Sequence, residues 1–397
     1  MKDKCLQIID WYDQRKIYFT SIACFLYVFL TILSWCLMFK LSNSIFNDIC
    51  VDIISIIRKG VFIIFFLTIY NGLFKKTLDW KLTTIFAVIS GLSYWFSKNP
   101  EVIKMFFSIT ALSCLPFKWT LNDYYRAQKW ILLLVITLAS FGIIENALYD
   151  KERMRFGLGF DSSSTSAVIL FHIMIIYGCL KRKPWNKTNL YLFILSSVLI
   201  FIATNSRFIF GMSMVYLIIS YFLLKKIDFK LISTSWMRRF IVALPFILAV
   251  LSFLIFISYN SNNTIWQSLD RIFSERFSLT HDAIFKYGLT LFGRPIVWSG
   301  NNYFNLPVAY NYVDNSYIKY LLEFGLLWFL FYLLLFGFGL YRIIKTKNAS
   351  YFLSLIVLLI LGCIESFLFT NVFNPFMIYG YIQLNSWFCN KEWKRSF

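Results

Sequence analysis

Residues 240–258, FIVALPFILAVLSFLIFIS, run straight into 259–276, YNSNNTIWQSLDRIFSER, and this junction decides how the chain is read. The first stretch is close to the ~20 apolar residues that a helix needs to cross a bilayer. The second opens a polar stretch that lasts to Ser316 and holds Arg271, Arg276, Arg294, His281 and Asp314 among many Asn, Tyr and Ser. Working outward, the chain alternates between apolar runs and short polar connections. The candidate spans lie near 17–39, 54–74, 82–97, 101–117, 130–148, 163–180, 189–204, 208–224, 240–258, 317–341, 349–369 and 373–389. The expected fold is therefore all-α: one integral membrane domain over 1–397 with about twelve transmembrane helices and one large polar loop at 259–316.

Composition agrees. The chain is 59% hydrophobic and 21% aromatic with a mean hydropathy of +0.64, well outside the soluble range. The net charge of +19 raises the question of nucleic acid, but the distribution of charge answers it. With the N-terminus inside, the inner connections carry 25 of the 39 basic residues and seven of the 20 acidic ones. That is a positive-inside pattern, which places both termini in the cytoplasm and the 259–316 loop on the far side. The basic residues are thus mainly a topology signal, and nucleic acid is not an expected partner.

Several chemistries lack their residues. There is no P-loop, no Asp-x-Asp pair and no CxxC, and only two histidines, His172 and His281. No metal site and no cofactor are expected. The first apolar run has no small-residue cleavage site, so no cleavable leader is expected. Of the eight cysteines only Cys50 falls in an outer segment, which leaves an outer disulfide without a second partner. Inner connections are too short for a nucleotide-binding domain, so any substrate should arrive already activated and already in the membrane.

Four polar clusters face outward. Arg153 and Arg155 follow span five, with Glu152 beside them as a structural partner and Gly157 and Gly159 close behind. Thr204-Asn205-Ser206-Arg207 joins spans seven and eight. Arg207 stands at a helix start, where the dipole disfavours a cation unless an anion binds there too. A guanidinium grips phosphate oxygens in a fork; the alternative is an arginine snorkelling at the interface. Arg271 and Arg276 fall in a stretch, Ile265–Leu291, whose apolar spacing predicts an amphipathic surface helix. They bind an anion or form its solvated face. Asp314 lies in Val-Asp-Asn-Ser-Tyr at the mouth of span ten. It is either the helix N-cap, a role open also to Asn315 and Ser316, or a general base for a sugar hydroxyl. Glu323 and Glu365 sit at membrane depth and need partners; Lys319, four residues before Glu323, is the ready one. Trp266, Trp298, Tyr303, Tyr310 and Tyr312 stack on sugars or anchor the interface.

The stretches RMRFGLGFDSSSTSA (153–167), ATNSRFIFGMSMVYLI (203–218), RIFSERFSL followed by LFG (271–293) and VDNSYIKYLLEFGLLWFLFYLLL (313–335), in this order around a large outer loop, resemble Wzy-type polysaccharide polymerases. These are relatives of the O-antigen ligases. The resemblance covers about 130–390. It implies metal-independent transfer of a growing glycan from undecaprenyl pyrophosphate to a hydroxyl on another lipid-linked repeat unit, at the bacterial cytoplasmic membrane. Implied partners are those lipid-linked oligosaccharides, membrane lipid, a chain-length regulator and a flippase. Arg207 and Arg276 match the family's arginine positions. Arg153, Arg155, Arg271, Arg294 and Tyr317 are the further candidates for diphosphate or glycan. Where ligases place a histidine base after the large loop, this chain has Asp314, whose ordinary pKa near 3.9 makes it weak unless burial raises it. A ligase for another acceptor is the nearest alternative reading. A flippase is the alternative from another class, but it should carry its polar residues within the spans.

Overall fold

The computed structural model describes residues 2–37, 45–150, 153–181, 185–223, 227–300 and 310–389. Glu152, Tyr303 and the basic residues 391–395 lie outside them. The described part is 73% helix, and the all-α expectation holds. The helices are α1 (Lys2–Leu33), α2 (Ile45–Phe74), α3 (Trp80–Ser97), α4 (Glu101–Leu112), α5 (Phe117–Ser140), α6 (Thr165–Lys181), α7 (Lys187–Thr204), α8 (Arg207–Ile218, prolonged by one π turn), α9 (Phe229–Ile232), α10 (Ser235–Ile257), α11 (Thr264–Ile272), α12 (Arg276–Tyr287), α13 (Ser316–Phe324), α14 (Leu326–Thr346), α15 (Ala349–Leu361) and α16 (Phe376–Phe388). A two-stranded antiparallel hairpin, β1 (Leu148–Asp150) and β2 (Arg155–Phe156), links α5 to α6.

Among the described residues four segments are long and apolar enough to cross a membrane: Arg15–Leu33, Lys187–Thr204, Ser235–Ile257 and Leu326–Thr346. At about 1.5 Å per residue, the 23 residues of α10 reach across a ~30 Å hydrocarbon layer. Their outward faces are apolar too. Tyr191, Leu192, Leu195, Leu199 and Ile202 of α7 are all exposed, as are Val250, Leu251, Leu254 and Ile255 of α10. Contiguous apolar surface of this kind is what lipid covers. In the interior α6 and α16 are buried on nearly every side, and α14 packs on α16 and on α10.

Three expected helices are interrupted, each for a visible reason. Span ten breaks at Gly325 (φ 86°) into α13 and α14. The loop strand 290–294 slots into the break: Leu326 and Leu327 N–H donate to the Thr290 and Leu291 carbonyls, and Arg294 N–H donates to the Glu323 carbonyl. First-turn N–H groups otherwise left unsatisfied thus find partners in the loop. Span eleven ends at Leu361, and the Gly362 carbonyl accepts from Ser316 N–H, so 362–370 is turn rather than helix. The predicted helix Ile265–Leu291 is two helices, α11 and α12, separated where Ser274 and Glu275 take φ of 56° and 62°. Asp270 explains this reversal. Its Oδ1 accepts from Phe277 and Ser278 N–H at 2.8 and 3.1 Å, capping α12 from the end of α11.

The α14–α16 crossing depends on Gly380, because a Cβ there would overlap the Leu335 backbone carbonyl. Gly380→Val should lower stability by about 1–3 kcal/mol, read as a reduced thermal midpoint in detergent. An unchanged midpoint would contradict this packing.

Candidate functional site

A cavity of about 840 Å³ opens among the described residues. Its lining comes from one end of the bundle. It takes the C-terminal ends of α1 (Thr31, Ser34) and α7 (Asn205), the starts of α4 (Glu101, Lys104), α6 (Thr165) and α8 (Arg207), the N-terminal half of α2 (Arg58), and the loops after α10 and α15. Alternate helices contribute alternate ends, as an up-and-down bundle requires. Eight basic and five acidic residues line it, so the space is cationic overall.

Arg276, the first residue of α12, organises its floor. Nε lies 2.8 Å from Asp314 Oδ2, and Nη2 lies 3.3 Å from Glu365 Oε1. Nη1 donates to the Ile364 carbonyl at 2.5 Å, and the guanidinium sits 5.4 Å over the Phe208 ring. Asp314 is not the helix cap. Asn315 is, its Oδ1 accepting from Ile318 N–H at 2.9 Å while its Nδ2 donates to the Cys363 carbonyl and Ser252 Oγ. The capping role is therefore filled by the neighbouring residue, and Asp314 faces Arg276 at the cavity. Burial pushes the Asp314 carboxyl upward, against Arg276, Lys319 and Arg155, which pull it down. Glu365, in the turn beyond α15, is buried and supplies the second carboxylate on Arg276. Burial opposes the charge on Arg276, yet Glu365 and Asp314 together hold its pKa above the usual value.

The remaining sequence candidates divide. Arg207 opens α8 behind Ser206, its Nε donating to Asn205 Oδ1 at 3.3 Å. Arg155 donates from Nε to the Thr204 carbonyl at 3.1 Å, and Asn205 Nδ2 to the Arg153 carbonyl at 3.2 Å, so the hairpin and the α7–α8 turn form one cationic wall. Arg153 leans toward Asp150, with 4.0 Å between Nε and Oδ2. Arg271 is exposed at the end of α11. Arg153, Arg155, Arg207, Arg271 and Arg276 all line the cavity. Arg294 and Tyr317 do not. The Tyr317 ring is fully buried with its hydroxyl on the Leu359 carbonyl, and Arg294 belongs to the strand that fills the α13–α14 break. Arg276 also differs from its expected part, since two carboxylates already occupy its guanidinium.

Sequence reasoning paired Lys319 with Glu323, and the structure separates them. Glu323 accepts from Asn99 Nδ2 at 2.5 Å and Trp298 Nε1 at 2.9 Å, while Lys319 Nζ donates to the Tyr312 hydroxyl at 2.8 Å. Glu365 as the second carboxylate on Arg276 was missed, as were Arg58, Asn99, Glu101 and Lys104. Their signal was a charge or amide at the outer end of a run read simply as a span. His172 and His281 each donate from Nδ1 to a backbone carbonyl, of Val168 and Phe256, and neither lines the cavity. Among the described residues no group of three potential metal ligands occurs. Compared with family models, curated proteins and solved structures, the chain matches none.

Proposed function

We propose that this chain is a membrane glycosyltransferase of the Wzy polymerase kind, joining lipid-pyrophosphate-linked oligosaccharide units. The observation that carries the reading is the placement of Asp314. It is relieved of helix capping by Asn315 and held by Arg276 in a large cationic cavity, whose wall presents Arg153, Arg155 and Arg207. A cavity of about 840 Å³ suits a ligand larger than a single sugar. On this reading the chain crosses the bacterial cytoplasmic membrane about twelve times, shorter and interrupted helices completing the crossings made by the four long ones. The basic connections stay in the cytoplasm with both termini, and 259–316 lies outside. Every cavity-lining segment then falls at the outer ends of the spans, where a lipid-linked substrate would present its head.

In the reaction, the hydroxyl oxygen of the acceptor sugar attacks the anomeric carbon of the donor glycan. The bond from that carbon to the diphosphate oxygen breaks, and the electron pair leaves with the diphosphate. Asp314 takes the hydroxyl proton, an effect worth about 10²–10⁴ in rate. Burial of its carboxyl supplies the basicity that an exposed aspartate lacks. Arg207, Arg155 and Arg153, with Arg271 at the rim, face the charge gathering on the leaving diphosphate. Arg276 holds Asp314 in place and takes no phosphate itself.

Arg207→Ala should abolish long glycan in source cells while single repeat units persist. Asp314→Asn should slow joining by about 10²-fold or more, with normal protein levels in both. Normal-length glycan from either variant at normal abundance would remove that residue from the mechanism.

A further inference from the structure

We propose that Lys319 binds an anionic substituent, a sugar carboxylate, on the repeat unit, so that this protein joins acidic glycans. The inference rests on the glycan-joining reading and names its substrate class.

Lys319 lies one turn into α13, lines the cavity and is largely buried. Its ammonium makes one hydrogen bond, to the Tyr312 hydroxyl at 2.8 Å, and sits 4.1 Å over that same ring. Among the described residues no carboxylate lies within ion-pair distance of it. The partner expected from sequence, Glu323, is within electrostatic reach, but its two oxygens are engaged by Asn99 and Trp298. Nor does Tyr312 neutralise the charge. Its hydroxyl accepts from Lys319 and shares a second hydrogen bond with Ser366 Oγ, 2.8 Å away. The ammonium has three N–H groups and uses one, so two remain for whatever enters the cavity.

A part-buried ammonium with two unused N–H groups facing a cavity makes sense where a ligand brings the acceptors. The surroundings say what kind of ligand. Trp298, Tyr312 and Tyr320 give the aromatic faces that pack on sugar rings. The diphosphate has its own cationic wall at Arg153, Arg155 and Arg207, on the hairpin and the α7–α8 turn, so Lys319 is not needed for it.

The test begins with the long glycan that disappears when the gene is deleted. It is hydrolysed and its sugars are identified with and without prior reduction of carboxyl groups. An acidic sugar is expected; a wholly neutral polymer would overturn the Lys319 assignment and leave the joining activity standing. If deletion changes no glycan, the joining reading itself fails, which is a different result. Purified protein is then given the native lipid-linked unit and the same unit with its carboxyl reduced. Wild type should use the native unit roughly ten- to hundredfold better, the range for a hydrogen bond to a charged group. Lys319→Gln should lose that preference, with the loss falling on the native unit alone, and Lys319→Arg should keep part of it. A merely structural lysine would slow both units equally, and that outcome, or an undiminished preference in Lys319→Gln, would overturn the proposal. Should Lys319→Gln fail to fold, the wild-type preference between the two units and the sugar analysis decide it.

Discussion

One guanidinium ties one end of this bundle together. Arg276 joins Asp314, which precedes α13, to Glu365, which follows α15, and it closes against the Ile364 carbonyl and the Phe208 ring of α8. Four segments distant in sequence meet on one planar group with a fixed set of donors. Without it the buried Glu365 carboxylate would stand unpaired beside the part-exposed Asp314, and breaking a buried ion pair costs about 3–5 kcal/mol. The bridge also explains the shape of the loop. For Arg276 to open α12 at this point, the chain must reverse after α11, and Asp270 fixes that reversal by capping α12.

The interrupted helices serve the same end. Spans ten and eleven would be unremarkable apolar rods if continuous. Breaking the first at Gly325 admits the 290–294 strand, and stopping the second at Leu361 frees the turn that carries Glu365 and Ser366 to the cavity. Non-helical backbone inside an apolar bundle is tolerated where protein buries it and its polar groups are paired. The pairing is visible in Ser316, whose Oγ donates to the Glu365 carbonyl and accepts from Leu368 N–H.

The helical class and the placing of Arg207 at a helix start were legible because they depend on local pattern: apolar runs, charge bias and a Thr-Asn-Ser-Arg turn. The breaks were not, because Leu-rich runs on either side of Gly325 and Gly362 carry no sign of the loop that pairs with them. The two readings of Asp314 could not be separated in the sequence, where Asp314, Asn315 and Ser316 all satisfy the cap rule. Only the position of Arg276, some forty residues earlier, distinguishes them. Lys319 and Glu323 misled for a related reason: spacing of four places two side chains on one helix face, but tertiary donors from Asn99 and Trp298 reached Glu323.

The cationic recess is proposed to take a lipid-borne diphosphate. Native mass spectrometry of the purified full-length protein, offered polyprenyl diphosphate and polyprenyl monophosphate of equal tail length, measures this directly. Retention of the diphosphate lipid by roughly tenfold or more over the monophosphate is expected, since forked guanidinium contacts scale with the oxygens available. Equal retention of the two lipids, or of neither, would contradict it.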